Sequence, residues 1–191
     1  MKRLVLLLLL FLLLVACGGE PQYFGTLWPG PQQATDFTLQ SVAGPVSLSD
    51  FSGKVVLLYF GYTFCPDVCP STMTDLAQVM QELGKDADEI QVIMVTVDPE
   101  RDTPLQLADY VAHFDPSFIG LSGTEEQIAA AASDYGIFYE RHEGTPATGY
   151  LIDHTARVFV IDKKGEYWLS FPFGMARDEM VSDLRNVLKS Q

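Results

Sequence analysis

The feature that most constrains the fold is an apolar run that ends in a pair of cysteines. Residues 55–60 are VVLLYF, apolar at every position, and Cys65 and Cys69 follow in the segment TFCPDVCP. A run without polar–apolar alternation predicts a strand that is covered on both faces of a sheet. Pro70 suits the first turn of a helix. We therefore expect Cys65 in the loop after the strand and Cys69 at the N-terminal edge of the helix.

The spacing of these cysteines is compatible with a disulfide, a redox dithiol or part of a metal site. If the turn is helical, their Cα atoms lie about 6 Å apart, which a disulfide tolerates. The helix N-terminus stabilises a thiolate and lowers a cysteine pKa. The pair has one residue more between the sulfurs than the C-x-x-C of ordinary thiol oxidoreductases, and this wider bite helps two thiolates reach one metal. A structural zinc site takes four ligands, so further ligands would have to come from elsewhere.

The start of the chain predicts export. Lys2 and Arg3 precede an apolar run over residues 4–16, which is shorter than the ~20 residues of a membrane-spanning helix and typical of a signal peptide. The run ends in LVAC, which resembles the lipobox of bacterial lipoproteins. This resemblance implies cleavage before Cys17 and attachment of a diacylglyceryl group to its sulfur. The rest of the chain would then be anchored to a bacterial membrane, facing the oxidising periplasmic or extracellular side.

Lipidation also simplifies the cysteine count. The sequence contains three cysteines, so the mature domain keeps only Cys65 and Cys69, and any intramolecular disulfide must join them. We predict three segments, which are a signal peptide (1–16), the lipidated cysteine with a Gly/Pro/Gln-rich tether (17–34) and a folded domain (35–191).

The charge argues against nucleic acid as a partner. The formal net charge is −13, and removal of the signal peptide with its two basic residues leaves about −15. Such a surface repels phosphate backbones but is compatible with cationic partners or metal ions.

Strands and helices alternate along the predicted domain. Two short alternating segments around a Gly-Pro turn predict a leading β-hairpin, and residues 91–97 predict a second buried strand. Helices are expected after the cysteines, at Thr103-Pro104, after Thr124 and at the C-terminus. RVFVID and EYWLSF predict a hairpin before the last helix. This order predicts an α/β, thioredoxin-like fold, with a mixed central sheet flanked by helices and an N-terminal β-hairpin extension.

One of the three histidines is a candidate third ligand. His113 ends a predicted helix and His142 lies in a polar loop, where neither needs a special role. His154 lies immediately before a strand of the final hairpin. In a thioredoxin-like fold the loop entering that strand lies against the cysteines of the site.

The motifs together resemble one family. GYTFCPDVCP, VDPERDTP and DHT, in this order, are similar to the Sco/SenC family of copper-binding, thioredoxin-like proteins, and the similarity runs from about Phe24 to the C-terminal helix. It implies that Cys65, Cys69 and His154 bind one copper ion per chain. Soft thiolates favour Cu(I), and an imidazole with two thiolates also holds Cu(II).

Two acidic residues are candidates for a supporting role. Asp153 precedes His154 and could orient its ring, although neighbouring residues often point apart. Asp98 could form a partner-docking edge near the metal or belong to a capped turn, in which Asp102 and Thr103 supply the capping oxygens.

The family resemblance implies a function in assembly. The protein would help to build the binuclear copper centre of cytochrome c oxidase, by delivering copper or by keeping the cysteines of that centre reduced. Its partners would be the copper-centre subunit of the oxidase, other copper chaperones or thiol oxidoreductases. The alternative is a thiol-disulfide oxidoreductase that cycles Cys65 and Cys69 without obligatory copper.

Overall fold

The computed structural model describes residues 21–145 and 149–190. Within these ranges it contains ten strands and four α-helices. The strands are β1 Thr26–Gln33, β2 Thr38–Ser41, β3 Gly44–Ser47, β4 Val55–Gly61, β5 Ile90–Thr96, β6 Ile119–Leu121, β7 Tyr139–Glu143, β8 Tyr150–His154, β9 Arg157–Ile161 and β10 Glu166–Pro172. The helices are α1 Val68–Leu83, α2 Pro104–Ala112, α3 Glu125–Asp134 and α4 Arg177–Lys189. None of the helices in the described ranges has both the length and the apolar composition needed to cross a membrane.

A six-stranded mixed sheet forms the centre of the domain. Its strand order is β1-β10-β9-β4-β5-β6, with β4, β5 and β6 parallel and the other neighbours antiparallel. Every residue of β4 is buried, so both faces of the sheet are covered at this strand, as the unbroken apolar run predicts. The hairpins β2–β3 and β9–β10 confirm two further predictions, and the threonine N-caps of α2 and α3 confirm two more.

The segment predicted as a tether is partly a strand. Within residues 17–34, Thr26–Gln33 forms β1 and pairs with β10 at the sheet edge, so the tether prediction is wrong for this strand. Pro29 and Pro31 lack the N–H that a central strand needs, but an edge strand tolerates them. The predicted signal peptide and Cys17 lie outside the described residues.

A third hairpin was not expected from the sequence. The polar stretch before His154 forms β7 and β8, which pair with each other and not with the six-stranded sheet. His154 is therefore the last residue of β8 rather than a loop residue. Strand β6 is also an addition to the predicted order.

Candidate metal centre

The two cysteines lie at the junction of the central strand and helix α1. Cys65 is half-buried in the loop after β4, whereas Cys69 is fully buried in the first turn of α1. The backbone N–H of Cys69 donates to the Sγ of Cys65 at 3.4 Å. Gly61, the last residue of β4, makes this close packing possible, because a Cβ there would lie 3.0 Å from the Sγ of Cys69. The predicted placement of both cysteines is confirmed.

Strand β8 brings His154 to the same place. Its Nε2 lies 3.3 Å from the Sγ of Cys69, and the ligand atoms of Cys65, Cys69 and His154 all lie within 4.8 Å of one another. The Nδ1 is 3.3 Å from the carbonyl oxygen of Thr155. A proton on Nδ1 would donate to that oxygen and leave the lone pair of Nε2 directed towards the sulfurs. Among the described residues this is the one cluster of histidine, cysteine or carboxylate side chains suited to a metal ion.

The two sulfurs have different acid–base properties. A hydrogen bond from the thiol of Cys69 lowers the pKa of Cys65 from its ordinary value near 9.0 to about 3, with nearby backbone N–H groups assisting. The same hydrogen bond, together with burial, raises the pKa of Cys69. In the metal-free, reduced protein the pair therefore shares one proton, and the more accessible sulfur is the thiolate.

Two tyrosines enclose the imidazole. The rings of Tyr59 and Tyr62 contact His154 edge to face, at centroid distances of 6.0 and 5.9 Å. The hydroxyl of Tyr59 is 3.4 Å from the Sγ of Cys69 and donates to it, while burial raises the pKa of Tyr59. This hydrogen bond is not predictable from the sequence, because Tyr59 belongs to an apolar strand pattern. Phe64, by contrast, is 52% exposed beside Cys65.

Asp102 anchors the loop that carries Cys65. The carboxylate is fully buried and accepts hydrogen bonds from the backbone N–H and hydroxyl of Thr63 and from the hydroxyl of Thr96. Burial raises the pKa of this carboxyl. The expected capping role of Asp102 is therefore wrong, whereas Thr103 does cap α2.

The two acidic candidates have different surroundings. Asp153 is exposed and its carboxylate lies 3.1 Å from the Nε2 of His142, so the proposed contact with His154 does not form. Successive side chains of a strand point to opposite faces, which explains the separation. Asp98 is buried, pairs with Arg101 and accepts a hydrogen bond of 2.7 Å from the hydroxyl of Tyr150.

Fold and cluster together define a thioredoxin-like domain whose strand-to-helix turn carries two cysteines and a histidine. The family model described as SCO1/SenC matches residues 29–189, and the chain belongs to that family. A SCO2-like protein of Rickettsia conorii is 37% identical over 153 residues, which cover 79% of this chain and 75% of the relative.

Solved structures agree with this assignment. The structure of apo Sco1 from Thermus thermophilus is 43% identical, with a TM-score of 0.78, over 88% of this chain and 98% of that one. The structure of Bradyrhizobium japonicum ScoI with copper bound is 35% identical, with a TM-score of 0.74, over 82% of this chain and 99% of that one.

Proposed function

We propose that the protein binds one copper ion through Cys65, Cys69 and His154 and uses it in the assembly of cytochrome c oxidase. The observation that carries the proposal is the convergence of two sulfurs and one imidazole nitrogen within 4.8 Å. No rearrangement of the fold is needed to bring these three ligand atoms together. Copper bound to the ScoI relative from Bradyrhizobium japonicum supports the choice of metal.

The donor set suits copper and links its binding to redox state. Two thiolates are soft ligands for Cu(I), and the imidazole extends the set to Cu(II). The pKa of Cys65 is about 3, so one thiolate is present before the metal arrives, and binding needs to displace only the proton shared with Cys69. Oxidation of both cysteines to a disulfide would remove two of the three ligands. The site would therefore retain metal only while the dithiol is reduced.

The partner would be the copper-centre subunit of the oxidase, with other copper chaperones or thiol oxidoreductases acting before or after it. Family membership supports this role, which includes copper delivery and reduction of the partner's cysteines. The lipobox supports attachment to a bacterial membrane through lipidated Cys17, with the domain on the exported side.

Copper titration of the reduced protein tests the three-ligand site. His154→Ala should weaken copper binding by at least about 10- to 100-fold, the cost of losing an outer-shell partner, because it removes one of the three ligands themselves. His113→Ala is the matched control, since that histidine caps the end of α2 and its Nδ1 lies 3.2 Å from the backbone carbonyl of Asp109. Binding of equal strength in His154→Ala and wild type would contradict the proposal.

A thiol-disulfide exchange activity is favoured by a separate observation, the asymmetry of the two sulfurs. Cys65 is a half-buried thiolate, and Cys69 behind it is buried and protonated. Such a pair can attack a partner disulfide through Cys65 and resolve the mixed disulfide through Cys69. Disulfide reductase turnover that survives His154→Ala would favour this activity, whereas its absence in the wild-type protein would exclude it.

A further inference from the structure

Strand β8, which carries His154, is attached to the rest of the domain mainly through side-chain contacts. In the described part of the chain, β8 pairs only with β7 and has no hydrogen-bond ladder to the six-stranded sheet. One end of β8 continues through residues 155–156 into β9, which belongs to that sheet. The orientation of β8 relative to the sheet therefore depends on contacts near Tyr150, at the opposite end of the strand.

Alternate residues of β8 face the cysteine loop. Tyr150, Ile152 and His154 occupy one face of the strand, because side chains alternate along a strand. The intervening Asp153 is exposed and points away, towards His142. The metal-site face of β8 thus has three docking points, of which His154 is the last.

Arg101 holds the first of these points. Its guanidinium carbon lies 3.6 Å from the ring centroid of Tyr150, and its Nη1 donates to the backbone carbonyl of Tyr150 at 3.1 Å. The same guanidinium lies 4.6 Å from the ring centroid of Phe64, the residue before Cys65. One side chain therefore contacts both the loop of the cysteines and the strand of the histidine.

Two neighbours complete the docking. Buried Asp98 pairs with Arg101 and accepts the hydroxyl hydrogen of Tyr150, which fixes the guanidinium relative to the ring. At the second docking point, the backbone N–H of Ile152 donates to the hydroxyl of Tyr62 at 3.2 Å. Tyr62 itself packs against the imidazole of His154.

We propose that Arg101 is a positioning residue for the metal site, which docks the start of β8 on the cysteine loop and so aims His154 at Cys69. The inference rests on the proposed copper function only for its effect on metal affinity, because the docking contacts themselves are all between protein groups. It gives the VDPERDTP motif a role inside the site, with Arg101 as the contacting group and Asp98 as its anchor. Lysine cannot replace this arginine fully, since an ammonium is not planar and cannot stack on the Tyr150 ring while it donates to the Tyr150 carbonyl.

The test is a double-mutant cycle on the full chain, with copper affinity measured by competition with a chelator. Arg101→Gln should weaken binding by about tenfold, the lower end of the effect of outer-sphere partners. In a His154→Ala background the same substitution should have no more than about a twofold effect, because its target is already gone. Arg185→Gln, which removes an exposed ion pair between Arg185 of α4 and Asp86, should change copper affinity in neither background.

A metal-free measurement separates this inference from the copper proposal. In the reduced apo protein, Arg101→Gln should shift the imidazole NMR signals of His154 and leave those of His113 in place. Unshifted His154 signals, or an equal loss of copper affinity in both backgrounds, would overturn the positioning role. If His154→Ala alone left copper affinity unchanged, the three-ligand proposal would fail, and the NMR result would still decide the role of Arg101. If Arg101→Gln does not fold, the Arg101→Lys variant, which keeps a cation beside Asp98, takes its place in both measurements. It should give a smaller shift of the His154 signals and a smaller loss of copper affinity.

Discussion

Replacement of Gly61 by alanine should disturb the buried side of the metal site, where β4 packs against Cys69. The new Cβ would lie 2.7 Å from Cε1 of Tyr59 and 3.0 Å from the Sγ of Cys69. Because carbon atoms pack at about 3.5 Å or more, the tyrosine ring must retreat by roughly 0.8 Å. Overpacking of this kind in a buried strand costs about 1–3 kcal/mol. The displaced atoms include one proposed copper ligand and the hydroxyl-bearing ring that donates to it, so copper affinity should also fall, by about tenfold.

Urea unfolding of the reduced apo protein and chelator competition for copper measure the two effects separately. Gly120→Ala is the matched control, because its Cβ would lie 2.8 Å from the Cβ of Leu107, in the contact between β6 and α2. It should lose at least as much stability, because the atoms it meets include the backbone of Leu107, and keep wild-type copper affinity. A Gly61→Ala protein with wild-type stability and copper affinity would refute the close packing of Cys69 against the end of β4.

Three further predictions concern the cysteine pair and the loop that carries Cys65. Since the pKa of Cys65 is about 3, alkylation of the reduced apo protein should occur at Cys65, at a rate nearly constant between about pH 5 and 8. An ordinary thiol reacts about tenfold faster per pH unit in that range. Peptide mapping that finds Cys69 labelled first would contradict this prediction. In the same range the folded pair holds one proton and the unfolded pair two, so this pair should make the free energy of unfolding rise with pH, measurable by urea titration. Asp102→Asn should lower the free energy of unfolding, measured in urea, by about 1.5–3 kcal/mol, because the amide cannot accept all the hydrogen bonds from Thr63 and Thr96. Equal stability of Asp102→Asn and the exposed control Asp109→Asn would rule out the anchoring role of Asp102.

The parts of the fold with strong patterns were predictable. An apolar strand followed by a proline-marked helix start fixed the positions of Cys65 and Cys69 along the chain, and the family motif pointed to His154. Patterns of this strength arise because burial on both strand faces and capping of a helix each demand particular residue types.

The parts held by polar or aromatic side chains were not predictable. Strand β7 is YERHE, which has no apolar alternation, because its side chains are largely exposed. Strand β1 contains two prolines, which argue against a strand unless its position at a sheet edge is known. Asp98 and Asp102 lie four residues apart in one turn, and only the folded structure shows that both are buried and that they hold different elements.

The central claim is that one copper ion is held by two sulfurs and one histidine nitrogen. X-ray absorption at the copper edge of the reduced, copper-loaded protein counts these ligands directly. We predict one copper per chain with two sulfur ligands and one imidazole nitrogen, and loss of that nitrogen in His154→Ala with the sulfurs retained. A copper ion bound by sulfur alone in the wild-type protein, or an imidazole signal that persists in His154→Ala, would contradict the account.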